Sequence, residues 1–177
     1  VRTIIGIDPG LDGAIFAYYA NGACEVVDTP TWSARRNRKT KRHVDAKRLY
    51  SIIRTVVSGI SIVAPTTPRE TVVWVEKVNA MPGQGVTSSF SLGRSFGMLE
   101  GVLASMGDAD VEFIASNKWK KALGVSNDKQ SSLDLARELF PTCFEAGFFD
   151  LQKHDGRAEA ALIAHYGRQQ EANNGIT

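Results

Sequence analysis

Long apolar runs are missing from this 177-residue sequence: nothing approaches 18 consecutive apolar residues, so no transmembrane helix is expected. Its opening residues run straight into a strand pattern, without the charged-then-apolar order of a signal peptide. Cysteine is scarce as well. Cys24 and Cys143 suit neither a disulfide framework nor a zinc motif, which makes a reducing cytoplasm the expected compartment. Three histidines, His43, His154 and His165, are too few and too scattered for a zinc site. No Ser/His/Asp or Cys/His arrangement stands out. The glycine-rich residues 81–89 lack the Gly-Lys-Ser/Thr ending of a nucleotide-binding P-loop. Internal repeats, low-complexity tracts and linkers are absent too, so a single domain over residues 1–168 with a polar, frayed tail at 169–177 is expected.

What the sequence does have begins at TIIGIDPGLDGAI. Ile4, Ile5, Gly6 and Ile7 form a short, β-branched apolar run suited to a strand buried on both faces. Asp8 sets a carboxylate at its end, and Pro9-Gly10 and Asp12-Gly13 then turn the chain back. Residues 14–20 return as a second strand. Asn21-Gly22 signals a hairpin, and residues 23–28 supply a third strand, giving an antiparallel meander. Residues 29–43 show no apolar periodicity and read as a loop or mobile arm. Asp45 is a candidate N-cap for an amphipathic helix carrying Leu49, Ile52, Ile53, Val56, Val57 and Ile60 and ending near Gly59.

Residues 64–70, with Pro65 and Pro68, read as a connection to a strand over 71–78 that delivers Glu76 near its end. Strand, helix and strand in this order spell a crossover onto a parallel neighbour. A long helix is expected over 90–106, with Leu92, Phe96, Leu99, Leu103 and Met106 on one stripe and Gly93, Gly97 and Gly101 on a smooth ridge. Each glycine costs a helix about 1 kcal/mol relative to alanine, so the ridge calls for a close contact with the sheet or with a partner helix. A short strand over 110–114 and a basic helical turn over 116–123 follow. A helix over 128–140 is halted by Pro141, a loop spans 143–152, and a last helix covers 155–168.

Four acids lie on these elements where they could converge. Asp155 and Glu159, four positions apart, share one helix face, an arrangement that costs energy unless a cation lies between them. With Asp8 and Glu76 they make an all-oxygen set suited to Mg²⁺ or Mn²⁺ rather than zinc. Two such ions about 4 Å apart would activate a water and stabilise the leaving oxygen of a phosphodiester. Charge distribution points the same way. Arg35, Arg36, Arg38, Lys39, Lys41, Arg42, Lys47 and Arg48 are 8 of the 21 basic residues, and the rest of the chain carries 13 basic against 18 acidic. An acidic body with one basic stretch suggests a polyanionic partner met at a particular place.

The order of Asp8 after IIGI, Glu76 after VVWV and HDGRAEAALIA near the end resembles the RuvC-type Holliday-junction resolvases of the ribonuclease H-like superfamily. The resemblance runs from Thr3 to about Tyr166. PGQGVTSSFSLGRSFGMLEGVL looks like the loop and long helix after the second acid, and KWKKALGVSNDKQSSLDLARELFP looks like the lysine-bearing segment. The compact form and Trp119-Lys120-Lys121 look more like phage or prophage members. One departure is plain: Gly156 stands three before the final acid where the family usually has an aspartate, and that acid is Glu159.

The resemblance implies an α/β fold: a five-stranded mixed sheet, three antiparallel strands then two parallel ones, with helices on both faces. It also implies Asp8, Glu76, Asp155 and Glu159 as catalytic ligands of two Mg²⁺ or Mn²⁺ ions, with Asp155 either on the metal or acting through a neighbour. Lys120 and Lys129 match phosphate-contacting positions. Gln84, Lys118 and Lys121 join them as expected DNA contacts, as do Arg35, Arg36, Arg38, Lys39, Lys41 and Arg42 of the arm. The expected activity is paired cleavage of four-way or other branched DNA by a homodimer joined through the long helix. A non-catalytic DNA-binding relative, and an ATP-binding domain like those of actin and the sugar kinases, are the alternatives.

Overall fold

The computed structural model of the chain describes residues 2–36, 39–57, 70–79, 83–107 and 109–174. Within them a five-stranded sheet has the order β3-β2-β1-β6-β7. The strands are β1 (Thr3–Ile7), β2 (Ala14–Tyr18), β3 (Cys24–Asp28), β6 (Thr71–Lys77) and β7 (Asp110–Ala115). β1, β2 and β3 pair antiparallel, and β6 and β7 add parallel strands beside β1. All five residues of β1 are buried, as their apolar run demands at the centre of a two-sided sheet.

Helices cover both faces. On one side Ile5, Ile7 and Val73 pack with α1 (Ala46–Val57) and α2 (Val86–Ala104) through Leu49, Ile53, Leu99 and Leu103. On the other, Ile4, Phe16 and Val72 pack with α3 (Ser116–Leu123), α4 (Lys129–Leu139), α5 (Pro141–Glu145) and α6 (Asp155–Asn174). α6 lies so close to β1 that a Cβ on Gly6 would sit 2.0 Å from the Ala160 carbonyl oxygen. Gly6 is what lets the last helix settle onto the central strand.

Several expectations need correction. The arm is a hairpin of its own, β4 (Thr31–Arg36) with β5 (Lys39–Val44), in register from Thr31↔Val44 to Arg36↔Lys39. Both of its faces are largely polar, so the apolar alternation that betrays a strand never appears. Asp45 does cap α1, accepting from the Arg48 N–H at 3.0 Å, while Gly59, Ile60, Pro65 and Pro68 lie outside the described residues. α2 starts at Val86, four residues before the expected start at 90, with Gly85 as N-cap. Pro141 ends α4 and also opens α5 at its first turn, where a missing N–H costs nothing. α5 takes up the start of the expected 143–152 loop, and a short 3₁₀ turn (Gln152–His154) begins at its end. α6 continues to Asn174 instead of fraying at Arg168, helped by the Arg2–Glu171 ion pair at 3.3 Å.

Cys24 and Cys143 are joined by a disulfide between β3 and α5, across 119 residues of sequence. Two cysteines so far apart carry no spacing signal, and only the fold brings their Cα atoms to 6.9 Å.

Candidate active site

Asp8 follows the last residue of β1, where its backbone N–H donates to Ala14 O at 3.0 Å and the chain turns toward β2. Ile7 pairs with Val75, so Asp8 and Glu76 emerge level from neighbouring parallel strands. α6 brings the other two acids. Its second residue, Gly156, packs against the turn after Asp8, and a Cβ there would sit 2.2 Å from the Asp12 carbonyl oxygen. That contact explains the departure noted above, since an aspartate at 156 has no room. Asp155 and Glu159 flank the contact on the first turns of α6.

The four carboxylates feel one another. Asp8 is partly covered as a residue, but its carboxyl lies deep. Burial, then the charges of Glu159 and Glu76, push it up to about 8, with Asp155 adding to the rise and the Gly10 N–H opposing it. Burial also raises Glu76, against a lowering hydrogen bond from the Trp119 indole, whose Nε1 donates to Glu76 Oε2 at 2.8 Å. Lys120 Nζ lies 2.8 Å from Glu159 Oε1, and the Ser132 hydroxyl donates to the same oxygen at 3.4 Å. Lys129 Nζ lies 2.5 Å from Asp155 Oδ2, and this hydrogen bond raises the lysine. α3 thus supplies Trp119 and Lys120, while α4 supplies Lys129 and Ser132.

With lysines on two of the acids and an indole on a third, no group of three or more His, Cys, Asp or Glu among the described residues is set to grip a metal ion. The donor chemistry nonetheless fits one. All candidate ligands are oxygen, and Asp8 is buried beside the charges of Glu159 and Glu76, where its ionised form is costly without a cation.

Other expected site residues spread outward from this centre. Arg42 pairs through Nη1 with Asp12 Oδ1 at 2.7 Å and donates through Nη2 to the Leu11 carbonyl, tying the hairpin to the Asp8 turn. Arg35, Lys41, Lys118 and Lys121 are exposed, and Gln84 is half-buried beside the start of α2. Arg36 and Lys39 close the hairpin ladder, and Arg38 lies outside the described residues. A cleft of about 630 Å³ runs from Asp155 and Lys129 past Lys153, His154 and Arg157 to Thr31 and Arg42. Arg157 is anchored there by Asp28, with Nε at 2.5 Å from Oδ1 and Nη2 at 2.7 Å from Oδ2. Nothing in the spacing of residues singles out Ser132, Arg157 or Lys153. Their roles depend on which helix packs beside which, and no local spacing encodes that.

No protein-family model matches this sequence, and no curated protein matches it. Among solved structures, the chain is similar to Thermus thermophilus RuvC in complex with a Holliday junction substrate. That protein is 17% identical, with 93% of this chain and 91% of that chain covered and a TM-score of 0.52. A second Thermus thermophilus RuvC structure is 15% identical, covers 95% and 96% of the two chains and gives a TM-score of 0.48. The fold is RuvC-like, with the five-stranded mixed sheet and two helical layers of a ribonuclease H-like architecture. Among the described residues no helix is long and apolar enough to cross a membrane.

Proposed function

We propose that this chain is a divalent-metal-dependent endonuclease that cuts branched DNA, a four-way junction first among its substrates, and that it works as a homodimer. The observation that carries the reading is the meeting of Asp8, Glu76, Asp155 and Glu159 from two adjacent parallel strands and one helix. Lysines from two further helices lie already within the cluster. Likeness of fold to a protein whose structure was solved in complex with a Holliday junction substrate supports the choice of substrate class.

Asp8, Glu76, Glu159 and Asp155 would hold Mg²⁺ or Mn²⁺, which when bound supplies water activation and charge stabilisation for phosphodiester hydrolysis. The chain's own residues do the positioning. Lys120 and Lys129 neutralise the acids in the free protein and are free to turn to the scissile phosphate once cations take that task. Trp119 fixes the Glu76 carboxylate through its indole N–H, and Ser132 steadies Glu159. Arg35, Arg36, Arg38, Lys39, Lys41, Arg42, Lys118 and Lys121 supply cations for the flanking backbone, with Gln84 as a neutral contact.

A dimer gains support from α2. Among the described residues nothing lies within 4 Å of where a Cβ on Gly93, Gly97 or Gly101 would sit, so the sheet is not what their ridge packs on. Val86 and Phe90, 87% and 71% exposed, continue the same face. The test is cleavage of a four-way junction, a fork, a flap and a linear duplex in Mg²⁺, Mn²⁺ and EDTA. Metal-dependent, symmetric incision of the junction is expected. Binding of branched DNA without incision in either metal would leave a DNA-binding relative of the fold instead.

A further inference from the structure

The β4–β5 hairpin carries a feature that phosphate binding does not use. Trp32 stands opposite His43, and their rings stack with centroids 4.9 Å apart at 28°. Trp32 remains 49% exposed, although the hairpin's other face buries Val44 at 5%. Two pairs further along, on the same face, small Ala34 opposes exposed Lys41. Residues 31–44 contain no acid. An open indole backed by a second ring, inside an all-cationic hairpin, complements a partner with both a flat π-face and negative charge. A nucleotide has both.

Location adds to this. Arg42 fastens the hairpin to Asp12 and Leu11 of the Asp8 turn, and Thr31 lines the same cleft as Lys129 and Asp155 from that face, which leaves Trp32, the next residue, on the hairpin's opposite face. We infer that Trp32, steadied by His43, is a stacking platform for an unpaired base of a DNA strand. The protein would thereby engage unstacked nucleotides beside the backbone it tracks. That location rests on the nuclease reading, whereas the stacking itself does not.

Intrinsic fluorescence tests it directly, because Trp119 is fully buried and Trp74 is half-buried, leaving Trp32 as the tryptophan within reach of a base. The protein is titrated with an eight-nucleotide thymidylate, an abasic strand of equal length and the corresponding duplex, without divalent metal. The thymidylate is expected to quench the emission and the abasic strand is not. Trp32→Leu should lose the quench and bind thymidylate about tenfold more weakly, with Trp32→Tyr restoring most of the affinity. Unchanged affinity in Trp32→Leu overturns the platform, as does equal quenching by the abasic strand. A quench that depends on protein concentration without DNA also overturns it, since Trp32 would then be covered by a second copy. Junction cleavage by the wild-type protein is measured alongside. Quenching without cleavage refutes the nuclease reading and keeps the platform, and cleavage without quenching does the reverse.

Discussion

Asp8 is the residue at which stability and chemistry pull apart. Its carboxyl is raised from 3.8 to about 8 in the folded chain, chiefly by burial and then by Glu159 and Glu76. A raised acid binds its proton more tightly folded than unfolded, so stability is full below about pH 4 and is lost as pH climbs toward 8. Asp8→Asn removes the charge and keeps the shape. Metal-free Asp8→Asn should therefore melt close to wild type at pH 4 and several degrees higher at pH 8, because each kcal/mol is worth roughly 2–4 °C in a chain of this size. Adding Mg²⁺ should shrink the gap, since a bound cation stabilises only the protein that keeps the ligand. Cleavage of a junction should fall by roughly 10³-fold or more, with junction binding retained because lysines and arginines carry it. Scanning calorimetry at both pH values and a gel cleavage assay check the two halves separately. An Asp8→Asn protein that is no more stable at pH 8 and still cuts would make Asp8 a turn residue.

Elements, rather than residues, decide how the acids meet, and α6 makes the point. Gly156→Ala in an ordinary helix would gain up to about 1 kcal/mol. Here the new methyl would lie 2.2 Å from the Asp12 carbonyl oxygen, so the sign reverses and a loss of about 1–3 kcal/mol is expected in a urea melt. Cleavage should drop with it, because Asp155 and Glu159 move with the helix. The hairpin offers a second test at this scale. Neutralising Arg35, Arg36, Arg38 and Lys39 should weaken binding to every DNA shape. Each lost phosphate contact should flatten the log–log salt dependence by about 0.9, and an unchanged slope would make the hairpin a solvated excursion. These two elements also mark the limit of what was legible in the sequence. β1 and β6 announced themselves through β-branched runs ending in Asp8 and Glu76, and α6 through Asp155 and Glu159 at helical spacing. The hairpin stayed hidden because its strands are polar on both faces. The Cys24–Cys143 bond, the indole on Glu76 and the need for glycine at 156 arise only between segments far apart in the chain, where no periodicity reports them.

At the scale of the whole molecule the open question is what covers the outer face of α2. Val86, Phe90, Gly93, Gly97, Gly101 and Ala104 lie on one exposed side of this helix, opposite the side that buries Leu99 and Leu103. Three interior glycines there cost on the order of 3 kcal/mol of helix propensity, and among the described residues nothing packs on them to offset it. Small residues at every fourth position allow a second helix to approach closely, and two-fold symmetry would set the same ridge on both sides. Two opposed incisions in a junction require two sites related by that kind of axis. Gly97→Leu is the sharpest probe. A leucine there has open space in the monomer and gains helix propensity, so the isolated chain should fold at least as well as wild type. In a glycine-to-glycine contact the same leucine forces the helices apart. Sedimentation is expected to find wild type dimeric at micromolar concentration and Gly97→Leu largely monomeric. The variant should nick one strand of a junction without the coordinated second cut. A wild type that sediments as a monomer, with and without junction DNA, would remove the dimer and leave the α2 face to another partner.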